Sequence, residues 1–139
     1  MINSRKIADL NPETAALCRQ FVAKCIEQSI DIIITSTYRD FESQDELYKQ
    51  GRVTPGPIVT NAKPGFSYHN FKVAFDFAPI QNGKIDWNNT HLFHRCGEIA
   101  ESIGLEWAGR WRRFPEMAHC QYTGGLTLAE FRRRGVQVA

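Results

Sequence analysis

Apolar positions along the chain follow two periods, one helical and one of strand type. From Pro12-Glu13 onward Leu17, Phe21, Cys25 and Ile26 share a helical face, with proline where a first turn tolerates it. Ile32-Ile33-Ile34-Thr35 is a short continuous run that reads as a buried strand. A second helix is expected from Phe41 to Gln50, stopped by Gly51. Residues 52–66, with Gly51, hold three prolines and three glycines and read as one long loop, a length usually reserved for function. Val73-Ala74-Phe75-Asp76-Phe77 then alternates with period two, with Val73, Phe75 and Phe77 on one face and Asp76 on the other. Gln81 to Lys84 is a turn and Ile85 to Trp87 a short strand. Thr90 is expected to cap a third helix that turns Phe93, Cys96, Ala100 and Ile103 inward and ends at Gly104. Leu105 to Trp107 and Met117 to Tyr122 are short strands around an Arg/Trp-rich loop, and Thr127 with Glu130 forms a capping box for a last helix. Without a regular βαβ rhythm the class is α+β: a small antiparallel sheet with flanking helices, one domain over residues 1–139.

Composition narrows the functional classes. At 42% hydrophobic and 23% charged, the 139 residues can bury a core without metals or disulfides, so any metal site serves chemistry. No run approaches a membrane span. The start, Met-Ile-Asn-Ser-Arg-Lys, leads into no apolar signal segment, so synthesis in the cytoplasm is expected. A net charge of +2 is too small to argue for nucleic acid, and the runs Arg132 to Arg134 and Arg110, Arg112, Arg113 read as solvated faces. Four cysteines lack CxxC spacing. Cys18 and Cys25 would lie about 10 Å apart along a helix, too far for a disulfide. Free, buried thiols are expected.

Two histidines lie beside acids. His69 and Asp76 bracket the passage from loop to strand, and Glu116 precedes His119 by three residues. Two imidazoles and a carboxylate form a three-ligand set for zinc with a fourth position open to water, and a further carboxylate is suited to take a proton from that water. Spacing alone leaves the bland reading open, that of histidines hydrogen-bonded in a polar loop. His91 and His94 read as solvent-facing or packing residues.

The wording around these residues adds to their spacing. Ser67-x-His69-x4-Ala74-x-Asp76, followed by Glu116-x-x-His119, resembles the signature of the LAS-type zinc peptidases (peptidase family M15). That family includes D-alanyl-D-alanine carboxypeptidases and the L-alanyl-D-glutamate endopeptidases of phage endolysins. Ser36-Thr37-Tyr38-Arg39 with Gln44 is similar to its substrate-binding segment, and Gly104 to Trp111 and Phe114 to His119 resemble stretches of the endopeptidase branch. The match runs in order from about Thr35 to Gln121. Lys72 stands where the family has glycine, Arg110 where it has Asp, Ala118 where Pro is common and Cys120 where an aromatic is usual.

The resemblance implies a hedgehog/DD-peptidase-like fold and one Zn2+ held by His69, Asp76 and His119. It implies Glu116 as general base, with Arg39, Gln44 and Ser67 binding substrate, Ser67 alternatively orienting His69. The expected activity is hydrolysis of the peptidoglycan stem peptide at the L-Ala–D-Glu bond, with a D-alanyl-D-alanine carboxypeptidase as the alternative. A non-catalytic wall-binding module of the same fold is the alternative of another class. The bland counterparts are an ion pair of Glu116 with Arg112 or Arg113, one of Arg39 with Asp40 or Glu42, and core packing for Trp107 and Trp111. A monomer that inserts in no membrane and acts on the cell wall after release, of phage, prophage or bacterial origin, completes the expectation.

Overall fold

The computed structural model describes residues 1–136. Asn11 opens α1 (Pro12–Glu27) by accepting the Thr14 N–H at 2.8 Å, with Pro12 in the first turn. Helix α1 buries Cys18, Phe21 and Cys25; Ile26, expected beside them, is 65% exposed because it lies one residue round from Cys25. Strand β1 (Ile32–Ser36) leads to α2 (Phe41–Lys49), which Asp40 caps through the Ser43 N–H at 2.8 Å. Residues 51–66 hold no helix or strand, as the loop composition predicts.

Strand β2 (Ala74–Gln81) starts one residue later than the alternation suggests and runs four residues further, through Pro79. It turns into a short β3 (Lys84–Ile85). Helix α3 (Thr90–Ser102) follows, β4 (Glu106–Trp107) and β5 (His119–Gln121) come next, and α4 (Leu128–Arg134) closes the described chain. The cap of α3 is Asn89, whose side chain accepts the Leu92 N–H at 3.1 Å, so the expected Thr90 cap is one residue late. The Thr127–Glu130 capping box forms as expected.

The antiparallel sheet has the order β1-β2-β5-β4, with β3 on the far end of β2. The main core lies between the sheet and helices α1 and α3, around Phe21, Phe75, Phe77, Phe93 and Trp107. All four cysteines are free and buried. Trp107 sets close tolerances here: a Cβ on Gly97 or Gly109 would stand 2.2 Å from its ring, so α3 approaches β4 through a glycine. Phe71, Val73 and Phe131 form a second cluster that anchors α4. Among the described residues no helix is long and apolar enough to cross a membrane.

Candidate active site

Strand register assembles the site. Asp76 of β2 sits directly opposite His119 of β5, and directly opposite residues in an antiparallel pair project from the same face. His119 and Gln121, two apart on β5, also share that face, while Cys120 between them points into the core. His69 arrives from outside the sheet, on the 3-10 turn Tyr68–Phe71. Ser67 caps that turn by accepting the His69 N–H at 3.3 Å, and Lys72 ends it with a left-handed φ of 64°. Lysine thus adopts at this position the backbone angle that glycine supplies without steric cost.

The ligand atoms of His69, Asp76 and His119 lie within 4.8 Å of one another. Partners on the outside fix which ring nitrogens face the centre. His69 Nδ1–H donates to the Thr37 carbonyl at 2.8 Å, and His119 Nε2–H donates to Gln121 Oε1 at 2.8 Å. Each imidazole therefore turns its lone pair inward, His69 Nε2 standing 3.2 Å and His119 Nδ1 3.3 Å from Asp76 Oδ1. Three electron-pair donors converge with no hydrogen-bond donor among them, an arrangement that calls for a cation or a captured proton at the centre. Two neutral imidazoles and a carboxylate suit zinc, and the outer hydrogen bonds to Thr37 and Gln121 are of the kind that orient histidine ligands.

The electrostatics of the metal-free triad agree. Burial acts to raise the Asp76 pKa, but attraction to His69 and the hydrogen bonds that the imidazoles donate inward once protonated outweigh it and hold the carboxyl well below the usual range. Burial acts to lower the His119 pKa, yet Asp76 and Gln121 reverse the sign and raise it.

Glu116 projects from the turn before β5, 58% exposed, with Oε2 3.6 Å from His119 Nδ1. Among the described residues it forms no ion pair with Arg112 or Arg113, so the bland reading of this carboxylate finds no support. A cleft of about 550 Å³ contains Arg39, Ser67, His69, Asp76, Trp111, Glu116 and His119 in its lining. Arg39 makes no ion pair with Asp40 or Glu42 among the described residues. Its guanidinium donates instead to Gln44 Oε1 at 3.0 Å and Ser36 Oγ at 3.3 Å, and its Nε has no partner. Burial lowers its pKa while Asp76 and Glu116 nearby favour the charge.

Gln44 lies beside Arg39 on the second helix. It is fully buried behind Arg39, spanning from the Ala62 carbonyl (2.8 Å) to the guanidinium. From there it aims Arg39 and presents no surface to the cleft. Trp107 belongs to the core, its Nε1–H donating to the Met117 carbonyl at 2.8 Å, whereas Trp111 packs 5.6 Å from the His119 ring and walls the cleft. Sequence reasoning missed Gln121 and Asn70. Asn70 ties the His69 turn to the arginine segment by donating to the Arg39 carbonyl at 2.9 Å and accepting the Gly65 N–H at 3.1 Å. The two-residue strand spacing from His119 was the one available signal for Gln121; nothing in the sequence marked Asn70.

The profile of a family described as VanY, D-alanyl-D-alanine carboxypeptidase, matches residues 7–124 of this chain. The chain belongs to the VanY peptidase family. It is also 39% identical over 123 residues to the peptidoglycan L-alanyl-D-glutamate endopeptidase CwlK of Bacillus subtilis, covering 82% of this chain and 74% of the relative. Similarity to the L-alanyl-D-glutamate peptidase of Listeria phage A118 is 27% over 124 residues, 88% of this chain but only 40% of the phage protein's length. The fold resembles that of the Serratia marcescens L-Ala D-Glu endopeptidase ChiX, with a TM-score of 0.65 and 16% identity over 92% of this chain and 86% of the other. Membership in the VanY family carries the α+β reading, and the sheet register explains how its motifs, distant in sequence, meet.

Proposed function

We propose that this protein is a zinc-dependent peptidase that cuts the peptidoglycan stem peptide between L-Ala and D-Glu, acting as one peptidase domain and a monomer. The observation that carries the chemistry is the convergence of His69 Nε2, Asp76 Oδ1 and His119 Nδ1 beside Glu116 and Arg39 in one cleft. The 39% identity with a Bacillus L-alanyl-D-glutamate endopeptidase supports the choice of bond. The carboxypeptidase reading is the second, since the matching family profile bears that description. In either case the place of action is the cell wall.

His69, Asp76 and His119 would hold one ion, which would supply Lewis acidity toward the scissile carbonyl and the attacking water. The chain's own residues do the rest. Glu116, exposed at the cleft and not among the three converging donors, accepts the proton of the attacking water and delivers it to the leaving amine. Arg39, steadied by Gln44 and Ser36, offers its remaining donors to a substrate carboxylate, of which the D-Glu side of the bond has at least one. Ser67 holds the His69 turn at the cleft edge. Trp111 shields the His119 side from water.

Glu116→Gln tests the assignment. The variant should bind zinc at the wild-type stoichiometry, measured by elemental analysis, and hydrolyse a stem peptide about 10²–10⁴-fold more slowly. Undiminished turnover would refute the role of Glu116, and loss of zinc would mean that it is a ligand.

A further inference from the structure

Beside the cleft lies a second hollow of about 490 Å³ whose lining, Glu116 apart, the catalytic account does not use. It forms where the loop 52–66 faces the loop before β5, and its apolar wall consists of Ile58, Val59, Phe66 and Phe114. All four are exposed large hydrophobic residues, Phe114 at 76%. Thr60 and Asn61 add hydrogen-bonding groups. The hollow is continuous with the cleft, because Val59, Thr60, Phe66 and Glu116 line both, but Arg39, Trp111 and the three converging donors lie outside it.

Two features argue that this shelf is built to meet a ligand. Phe114 has a φ of 51°, a left-handed angle that is strained for a residue with a Cβ. That strain is not offset by burial, since the ring stands in solvent; strained residues of this kind cluster at ligand clamps. Phe66, on the facing loop, is braced by the Arg132 guanidinium 4.1 Å from its ring centre, so its orientation is set from α4.

Charge then selects the occupant. Glu116 is the one ionisable side chain of the lining and the Arg132 guanidinium is spent behind the Phe66 ring, so the lining itself offers an anion no cationic partner. The carboxylates of a stem peptide begin at D-Glu, on the leaving side of the bond, where Arg39 meets them. On the acyl side of L-Ala, peptidoglycan carries an uncharged acetamido sugar joined through a lactyl amide. We propose that the shelf holds this sugar. Its apolar ring face would lie on Phe114 and Phe66, and its acetamido group would reach Thr60 and Asn61. The inference rests on the L-Ala–D-Glu reading and makes the enzyme selective for stem peptides still attached to glycan.

Two measurements test it. The first compares kcat/KM for an N-acetyl-L-Ala-D-Glu stem peptide with that for the same peptide carrying N-acetylmuramyl in place of acetyl. Wild type should favour the muramyl substrate about tenfold, the effect of covering roughly 55 Å² of apolar surface. Phe114→Ala should lose that preference without changing the rate on the acetyl peptide, and Phe114→Tyr should keep it. Equal rates in wild type, or an equal loss on both substrates in Phe114→Ala, would overturn the proposal. The second is an NMR titration of the protein with N-acetylmuramyl-L-alanine amide, which needs no turnover. Saturable shifts at Phe114 and Ile58, weakened about tenfold by Phe114→Ala, are expected; their absence would overturn the shelf even in an active enzyme. If neither peptide is cut while the amide still binds, the endopeptidase reading fails and the shelf stands.

Discussion

Gln121→Met isolates the contribution of a residue that touches neither metal nor substrate. Gln121 is 2% exposed and its Oε1 is the acceptor, at 2.8 Å, for His119 Nε2–H. Methionine keeps the length and the apolar stem but offers only a weak sulfur acceptor. Two effects follow. The buried N–H left without a good partner destabilises the metal-free protein by about 1–3 kcal/mol. Loss of the partner that fixes the tautomer and ring orientation lowers metal affinity about 10–100-fold, or roughly 1.4–2.7 kcal/mol. Zinc affinity is measured by competition with a chromophoric chelator, and stability by urea unfolding with and without zinc. Gln121→Glu serves as the control, because a carboxylate acceptor keeps the hydrogen bond and should hold affinity at or above wild type. A Met variant that binds zinc within about threefold of wild type would refute the claim that Gln121 orients the ligand.

Further expectations concern pH and packing. In the metal-free protein Asp76 has a depressed pKa, so its contribution to stability is present above the unfolded carboxyl value of about 3.9 and is lost as pH falls through the lower folded value. His119 has a raised pKa, so its contribution is complete below about 6.5 and disappears as pH rises through the higher folded value. Zinc must displace the His119 proton, so the rise in urea midpoint on adding zinc should be larger at pH 8 than at pH 5.5; an equal rise would contradict the ligand set. Gly97→Ala should destabilise by about 1–3 kcal/mol by driving a methyl into Trp107, although glycine to alanine in an unencumbered helix stabilises by about 1 kcal/mol. A raised melting temperature in that variant would show that α3 does not pack on the indole as described.

How much of this was legible in the sequence depends on how local its cause was. Capping at Thr127 and the loop between α2 and the His69 turn are decided by neighbours in the chain, and they were readable. The alternation around Asp76 also placed that acid on the face opposite Phe75 and Phe77, which pack in the core. Asn89 against Thr90 is a choice between adjacent good caps, and propensity does not separate them. The α2 motif located Gln44 but not its direction, because whether a side chain faces a cleft or props the residue that does depends on the loop carbonyl of Ala62, 18 positions away. The same holds for Asn70 and Arg39, 31 apart. Lysine in place of the family's glycine suggests an altered local path from His69 to Asp76, yet Lys72 takes a left-handed φ of 64° all the same. The Gly104-to-Trp111 stretch divides in the structure: Trp107 serves the core and Trp111 the cleft.

The most direct test of the central claim is mass spectrometry of a defined muropeptide, with the stem L-Ala-D-Glu-diaminopimelate-D-Ala-D-Ala, after incubation with the zinc-loaded protein and in a parallel sample containing a chelator. Release of a fragment beginning at D-Glu, abolished by the chelator, is the predicted result. Loss of terminal D-Ala with the L-Ala–D-Glu bond intact would contradict it in favour of the carboxypeptidase, and an unchanged muropeptide would contradict both.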